Sequence, residues 1–140
     1  MKNVRPLRFS KFSDSTYGNL TAVECGKDIT FDVKRVYYIY DVPDKTRRGF
    51  HSHHNLHQAL ICVKGSVKIL TKTPYEEQTY ELNEANKGLY IGPMVWREMY
   101  DFSSDAVLLV LASELYDVSD YIRDYADYEK LAVEYFVKEG

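Results

Sequence analysis

Cysteine is scarce, apolar runs are short and no block of like charge occurs anywhere in the 140 residues. The two cysteines, Cys25 and Cys62, have no close cysteine partner and sit in apolar, strand-like surroundings. That spacing argues against a disulfide framework or a zinc knuckle and predicts two buried free thiols. No uninterrupted apolar stretch approaches the ~18 residues of a membrane span, and the segment from Met1 to Ser10 lacks the apolar centre of a signal peptide. A cytoplasmic protein with no membrane partner is the expectation. Lys plus Arg number 18 and Asp plus Glu 21, a net charge of −3 without long runs of one sign, so nucleic acid is a poor partner too. Internal repeats and low-complexity segments are also absent.

Length predicts a single domain over residues 1–140, with little room for a fused module. Short β-branched and aromatic runs predict strands at 4–9, 20–24, 29–40, 57–63, 67–72, 76–82, 88–91, 98–102 and 106–112. Strands this short and numerous point to a β-sandwich or barrel. Lys64-Gly65-Ser66 reads as a tight hairpin turn, and residues 83–87 as a connecting loop. The run from Ala106 to Ala112 scarcely alternates, which predicts a strand buried on both faces. Tyr128, Leu131, Ala132, Tyr135 and Phe136 fall at i, i+3, i+4, i+7 and i+8, one stripe of an amphipathic helix. A short helical turn capped by Ser119 or Asp120 precedes it.

What the chain does have is one concentrated cluster: all four histidines, His51, His53, His54 and His57, fall between positions 51 and 57. Successive side chains of a strand alternate faces, so His51 and His53 share one, and His57 joins them if the strand runs on unbroken. Imidazole changes charge near neutral pH and ligates metals, so the pair suits proton transfer or a metal site. A polar loop is the plain alternative. Thirteen tyrosines and one tryptophan suit a site for rings and sugars, and equally ordinary half-buried strands.

Gly49-x-His51-x-His53, followed by Gln58 and Gly65, resembles the first motif of the cupins, and Gly88-Leu-Tyr-Ile-Gly-Pro-Met-Val-Trp96-Arg97 loosely resembles the second. The resemblance implies an all-β double-stranded β-helix, a small jelly-roll barrel, with a short C-terminal helix. Metal cupins generally use two histidines and a glutamate from the first motif and one more histidine from the second. Here the glutamate position falls at His57 or Gln58, and the second motif offers Arg97, which ligates no metal. A site on His51, His53 and His57 alone is the metal alternative, and Arg97 opposes it.

More of the chain is similar to the sugar nucleotide 3,4-ketoisomerases, through Lys34 to Ile39, Arg48 to His53, Gly88 to Met99, Asp101 to Ser113 and Tyr121-Ile-Arg123. That resemblance implies action on dTDP-4-keto-6-deoxyglucose on the way to deoxyaminosugars of S-layer or O-antigen glycans, by a homodimer with exchanged strands. The Arg-Gly-x-His string also resembles related cupin epimerases, in which the arginine holds the diphosphate and the histidine is the base; Arg48 and His51 take those roles here. Asp14-Ser-Thr-Tyr17-Gly18 resembles a string of both families in which many relatives carry a phosphate-binding arginine at the place of Tyr17. Arg35, Tyr90 and Tyr121 are further candidates for nucleotide contact.

Moving a ketone from C4 to C3 needs a base for the C3 proton, an enediol and proton return at C4; it needs no redox cofactor, and a metal is optional. His51 is the candidate base and His53 its helper. Tyr37 is a hydrogen-bond donor to the oxyanion, and Arg97 a fixed cation that holds charge without transferring a proton. Relatives giving the 3-keto galacto sugar resemble this chain but carry arginine at the place of Tyr17 and histidine at that of Arg97, so the gluco product is expected. Competing readings are the galacto-product ketoisomerase, a 3,5-epimerase on the same sugar, a metal-dependent cupin enzyme and a non-catalytic sugar sensor.

Overall fold

Residues 67–72 show most simply how this sequence makes strands: Val67, Ile69 and Thr71 are buried while Lys68, Leu70 and Lys72 are half-covered. That period of two fits a strand with one face on a core. In the computed structural model, which describes residues 1–139, similar segments recur throughout. They are β1 (Val4–Arg8), β2 (Lys11–Asp14), β3 (Gly18–Thr21), β4 (Arg35–Tyr40), β5 (Arg48–His53), β6 (Gln58–Lys64), β7 (Val67–Lys72), β8 (Glu77–Leu82), β9 (Lys87–Ile91), β10 (Trp96–Tyr100), β11 (Val107–Ala112) and β12 (Tyr121–Ile122), followed by helix α1 (Tyr125–Glu139).

One five-stranded sheet runs β1-β9-β6-β11-β4 and the other β12-β5-β10-β7-β8, while β2 and β3 pair as a separate hairpin. All named strand pairings are antiparallel. Leu60, Leu89, Leu108 and Val110 from the first sheet meet Val67, Ile69, Leu82 and Met99 from the second in one buried cluster. Facing sheets around a shared core make the small jelly-roll barrel expected of a cupin.

Several local expectations change. Lys64-Gly65-Ser66 joins β6 to β7, which belong to different sheets, so it is a corner between layers and not a hairpin; Gly65 supplies the positive φ of 73° that the corner needs. The predicted strand 29–40 is strand only from Arg35. Before it, Ile29, Phe31 and Val33 lie with Phe9 against the outer face of the first sheet, over Ala59, Ile61 and Leu111. That cover is partial, so β11 is not buried on both faces: Leu108, Val110 and Ala112 are buried, while Val107, Leu109 and Leu111 are half-exposed. Cys62 is buried, but Cys25 is exposed in the loop after β3. The short 3-10 turn Val118–Asp120 is capped by Asp117, whose carboxylate accepts from the Ser119 amide at 3.0 Å. Helix α1 packs Tyr128, Ala132 and Phe136 on Met94, Trp96 and Ile122.

Candidate active site

β5 enters the barrel through an irregularity. Glu98 pairs with Gly49 and Arg97 with His51, so Phe50 is the extra residue of a β-bulge. Gly49 (φ 93°) and Phe50 (φ 58°) both take left-handed backbone, and a Cβ on Gly49 would lie 2.8 Å from the Arg97 carbonyl oxygen. Beyond the bulge His51 and His53 share a face, their rings edge to face at 5.0 Å. The Tyr121 ring lies 4.3 Å from that of His53 and 5.1 Å from that of His51. The strand stops at His53, so His57 does not join the pair: its Nδ1 meets the Tyr90 hydroxyl at 2.6 Å, stacked near Phe31. The three-histidine metal set therefore does not assemble, and among the described residues no three His, Cys, Asp or Glu side chains gather to hold a metal.

Burial, reinforced by the Arg97 charge, pushes His51 down to about 3 and His53 strongly down as well, so both imidazoles are neutral at physiological pH. The contact of His53 Nδ1 with Asp120 Oδ2 at 3.0 Å is accordingly a hydrogen bond and not an ion pair. The carboxylate only accepts, so Nδ1 carries the proton and Nε2 keeps its lone pair. Asp120 is held in turn by the Asn55 amide at 2.9 Å. Neither His53 Nε2 nor His51 Nδ1 has a hydrogen-bond partner among the described residues.

Arg97 lies on β10 across from His51 and is 1 % exposed. Burial lowers it to about 10, still a cation at neutral pH. Among the described residues no carboxylate bonds to it: the guanidinium donates to Gln58 Oε1 and, at 3.1 Å, to the Val95 carbonyl. Gln58 Nε2 in turn donates to the Tyr37 hydroxyl at 2.9 Å. Burial raises Tyr37, against the opposing pull of Arg97 and Gln58, so the phenol keeps its proton.

A cavity of about 530 Å³ opens over this group, lined by His51, Tyr37, Tyr121, Arg35, Arg48 and Arg123. A larger hollow of about 650 Å³ adjoins it across Arg35, Tyr116 and Tyr121 and reaches His53 and Asp120. The smaller one is the candidate reaction site, because of the two it is the one that holds His51, Tyr37 and Arg48 together. Its arginines make a cationic mouth on an acidic protein, suited to an anionic ligand. Of these, Arg35 is engaged with the Glu114 carbonyl at 3.2 Å, while Arg123 stacks over Tyr121 at 4.3 Å.

His51, His53, Tyr37, Arg48, Arg35 and Tyr121 thus come together, with Arg97 directly beneath and outside the cavity lining. Tyr90 does not join them; it sits on β9 with His57, under Arg5 at 5.0 Å. Tyr17 does not either, lying 90 % exposed at the tip of the β2–β3 hairpin. Gln58, Asp120 and Arg123 were not among the expected site residues. Gln58 stood with His57 at the two places offered for the cupin glutamate and Arg123 in the Tyr121-Ile-Arg123 string, whereas Asp120 carried no signal beyond a helix cap.

A jelly roll with two neutral histidines on an inner strand and a cationic mouth defines a cupin whose polar centre is built around an arginine. The family model described as FdtA: WxcM-like, C-terminal matches residues 2–133, and the chain belongs to that family. The chain is 47% identical over 124 residues to a TDP-4-oxo-6-deoxy-alpha-D-glucose-3,4-oxoisomerase of Aneurinibacillus thermoaerophilus, covering 89% of this chain and 88% of that one. The H51N mutant of the 3,4-ketoisomerase QdtA from Thermoanaerobacterium thermosaccharolyticum, in complex with TDP-4-keto-6-deoxyglucose, is 54% identical and superposes with a TM-score of 0.93 over 96% of both chains. The Y17R/R97H double mutant of QdtA, in complex with TDP, is 53% identical, with a TM-score of 0.94 over 97% of this chain and 98% of that one.

Proposed function

We propose that this protein isomerises TDP-4-keto-6-deoxyglucose to TDP-3-keto-6-deoxyglucose, supplying a sugar nucleotide for deoxyaminosugar synthesis in the cytoplasm. The observation that carries the reading is the neutral His51–His53 pair beneath a cationic cavity, with Tyr37 protonated beside it. Neutral His51 takes the C3 proton, which the neighbouring carbonyl acidifies, and the C4 oxygen becomes an enediolate. Tyr37 donates to that oxygen. The buried charge of Arg97 favours the enediolate through space and keeps the imidazole basic form populated. Transfer of the O3 proton to O4, with His53 as the relay, and return of a proton to C4 complete the exchange, so no atom or electron is gained or lost. Arg48 and Arg35 hold the diphosphate and Tyr121 packs on the ligand. A substrate complex of the QdtA H51N mutant supports a role for His51 in chemistry more than in binding.

The donor set favours a reaction without metal: a guanidinium sits beside the two histidines, and the cupin carboxylate falls at His57 or Gln58, neither of them a carboxylate. Arg97 is also a very poor proton donor. H3 and H4 of the gluco sugar lie on opposite ring faces, so in this reading His51 passes the C3 proton to solvent and C4 takes its proton from water on the face away from His51, which gives the gluco configuration. The test is to treat the enzyme exhaustively with chelator, add TDP-4-keto-6-deoxyglucose and follow the fresh product by NMR. A 3-keto product with axial H4 is expected. An equatorial H4 would overturn the stereochemical part, and loss of turnover on chelation the metal-free part.

The active unit in this reading is a homodimer. The outer face of the first sheet leaves Val36 53 %, Tyr38 60 % and Val63 42 % exposed, and the hairpin beside it leaves Phe12 65 % and Leu20 60 % exposed. Between hairpin and sheet runs a groove lined by Lys11, Asn19, Val23, Ile61, Val63 and Leu109. A second copy, exchanging this hairpin, covers these apolar surfaces and carries Tyr17 to its partner's cavity.

A further inference from the structure

We propose that Gln58 is a positioning residue that sets the direction of a buried hydrogen-bond chain, so that the Tyr37 hydroxyl proton points into the cavity; this rests on the reading of Tyr37 as donor to the sugar oxygen. The direction follows from what each group can give. A guanidinium only donates, so Arg97 Nη1 must meet the amide oxygen of Gln58. That choice turns Nε2 towards Tyr37, at 2.9 Å. An amide NH2 only donates, so the phenolic oxygen accepts, and its own proton lies elsewhere. Tyr37 lines the cavity with His51, and the cavity is where that proton can be used.

The residue type matters as much as the geometry. Arg97 is buried with no carboxylate bonded to it among the described residues, an arrangement that costs stability because desolvation of the cation is only partly compensated, Asp120 acting from a distance. A glutamate at position 58 would relieve that cost with nearly the same shape. Its carboxylate would accept from Arg97 and also from Tyr37, turning the phenolic proton inward and taking the donor away from the substrate. It would also neutralise the charge that acts on His51, which faces Arg97, Arg123, His53 and Tyr121. Glutamine keeps the cation and the donor together.

The experiment compares Gln58→Glu, Gln58→Met and Tyr37→Phe. With 3-fluorotyrosine incorporated and the Tyr37 signal assigned from Y37F, 19F NMR follows the phenol titration. Removing a donor to the phenolic oxygen raises the Tyr37 midpoint in Q58M, and adding a carboxylate raises it in Q58E. On TDP-4-keto-6-deoxyglucose, kcat of Q58E falls about 100-fold, the scale of a lost oxyanion donor, with KM within about threefold. The Y37F/Q58M double variant, which adds no charge beside Arg97, is no slower than Y37F. A lowered midpoint in Q58M overturns the proposal, as do losses that multiply in the double variant. If the wild type leaves this sugar unchanged, the functional reading fails, while the titration still decides the direction of the chain. Q58M introduces no charge and keeps the side-chain volume, so the titration stands on it should Q58E fold poorly.

Discussion

At the scale of single residues the site is governed by one buried charge. Arg97 forms no ion pair among the described residues and acts on His51, His53 and Tyr37 together. His51→Asn is expected to lower kcat by about 10³-fold, the range of a general base, while TDP affinity measured by calorimetry stays within about threefold; retention of substantial kcat would move the base to His53. The same residue leaves a signature in stability. His51 in the folded protein is held near 3 against an ordinary 6.5, so between those values the unfolded chain binds the extra proton. Stability is therefore full above pH 6.5 and falls as the pH drops towards 3. Thermal melts of H51N are expected to show a shallower decline across that window than the wild type, and parallel declines would place His51 in a different environment.

Among the elements, the alternating pattern at 67–72 located β7, the nearly continuous apolar run 106–112 located β11 while overstating its burial, and the Tyr128–Phe136 stripe located α1 within a turn of its true start. Partnership was not legible. Gly65 looks the same in a hairpin as at a corner between sheets, because both need only its positive φ; and β2 escaped notice because all four of its residues are exposed. The His51–His53 pair was readable from alternation, whereas the loss of His57 depended on where β5 ends. Gln58 was readable as a departure from a ligand pattern, but its partners came from β4 and β10, far apart in sequence. Gly49 is where element and site meet: its bulge aims His51 inward opposite Arg97. Gly49→Ala combines a left-handed φ with a contact of 2.8 Å to backbone, so a loss of about 1–3 kcal/mol is expected, read by urea denaturation, together with reduced kcat. An unchanged midpoint would mean that the bulge is not held as described.

At the scale of the whole molecule the single chain leaves two expected ligand contacts stranded, Tyr90 beside His57 and Tyr17 at the surface. Tyr17 stands on the exposed hairpin and lines neither cavity of the histidine site, so its service to a substrate requires another copy of the chain. Val36→Glu places a carboxylate on the exposed edge of the outer sheet face, where a lone subunit tolerates it and an apolar interface does not; sedimentation velocity is expected to show a dimer for the wild type and a monomer for V36E. Shared sites make a sharper demand. H51N and Y17A each spoil both sites of their own homodimer, but in a mixed dimer one site collects both faults and the other collects none. Unfolding the two variants together and refolding the mixture should therefore restore about one site in four to wild-type kcat/KM when subunits pair at random. Refolding each variant alone and then mixing leaves the faults separate and restores nothing until subunits exchange. If Tyr17 serves the cavity of its own chain, or none, co-refolding gives no more activity than the two variants added together.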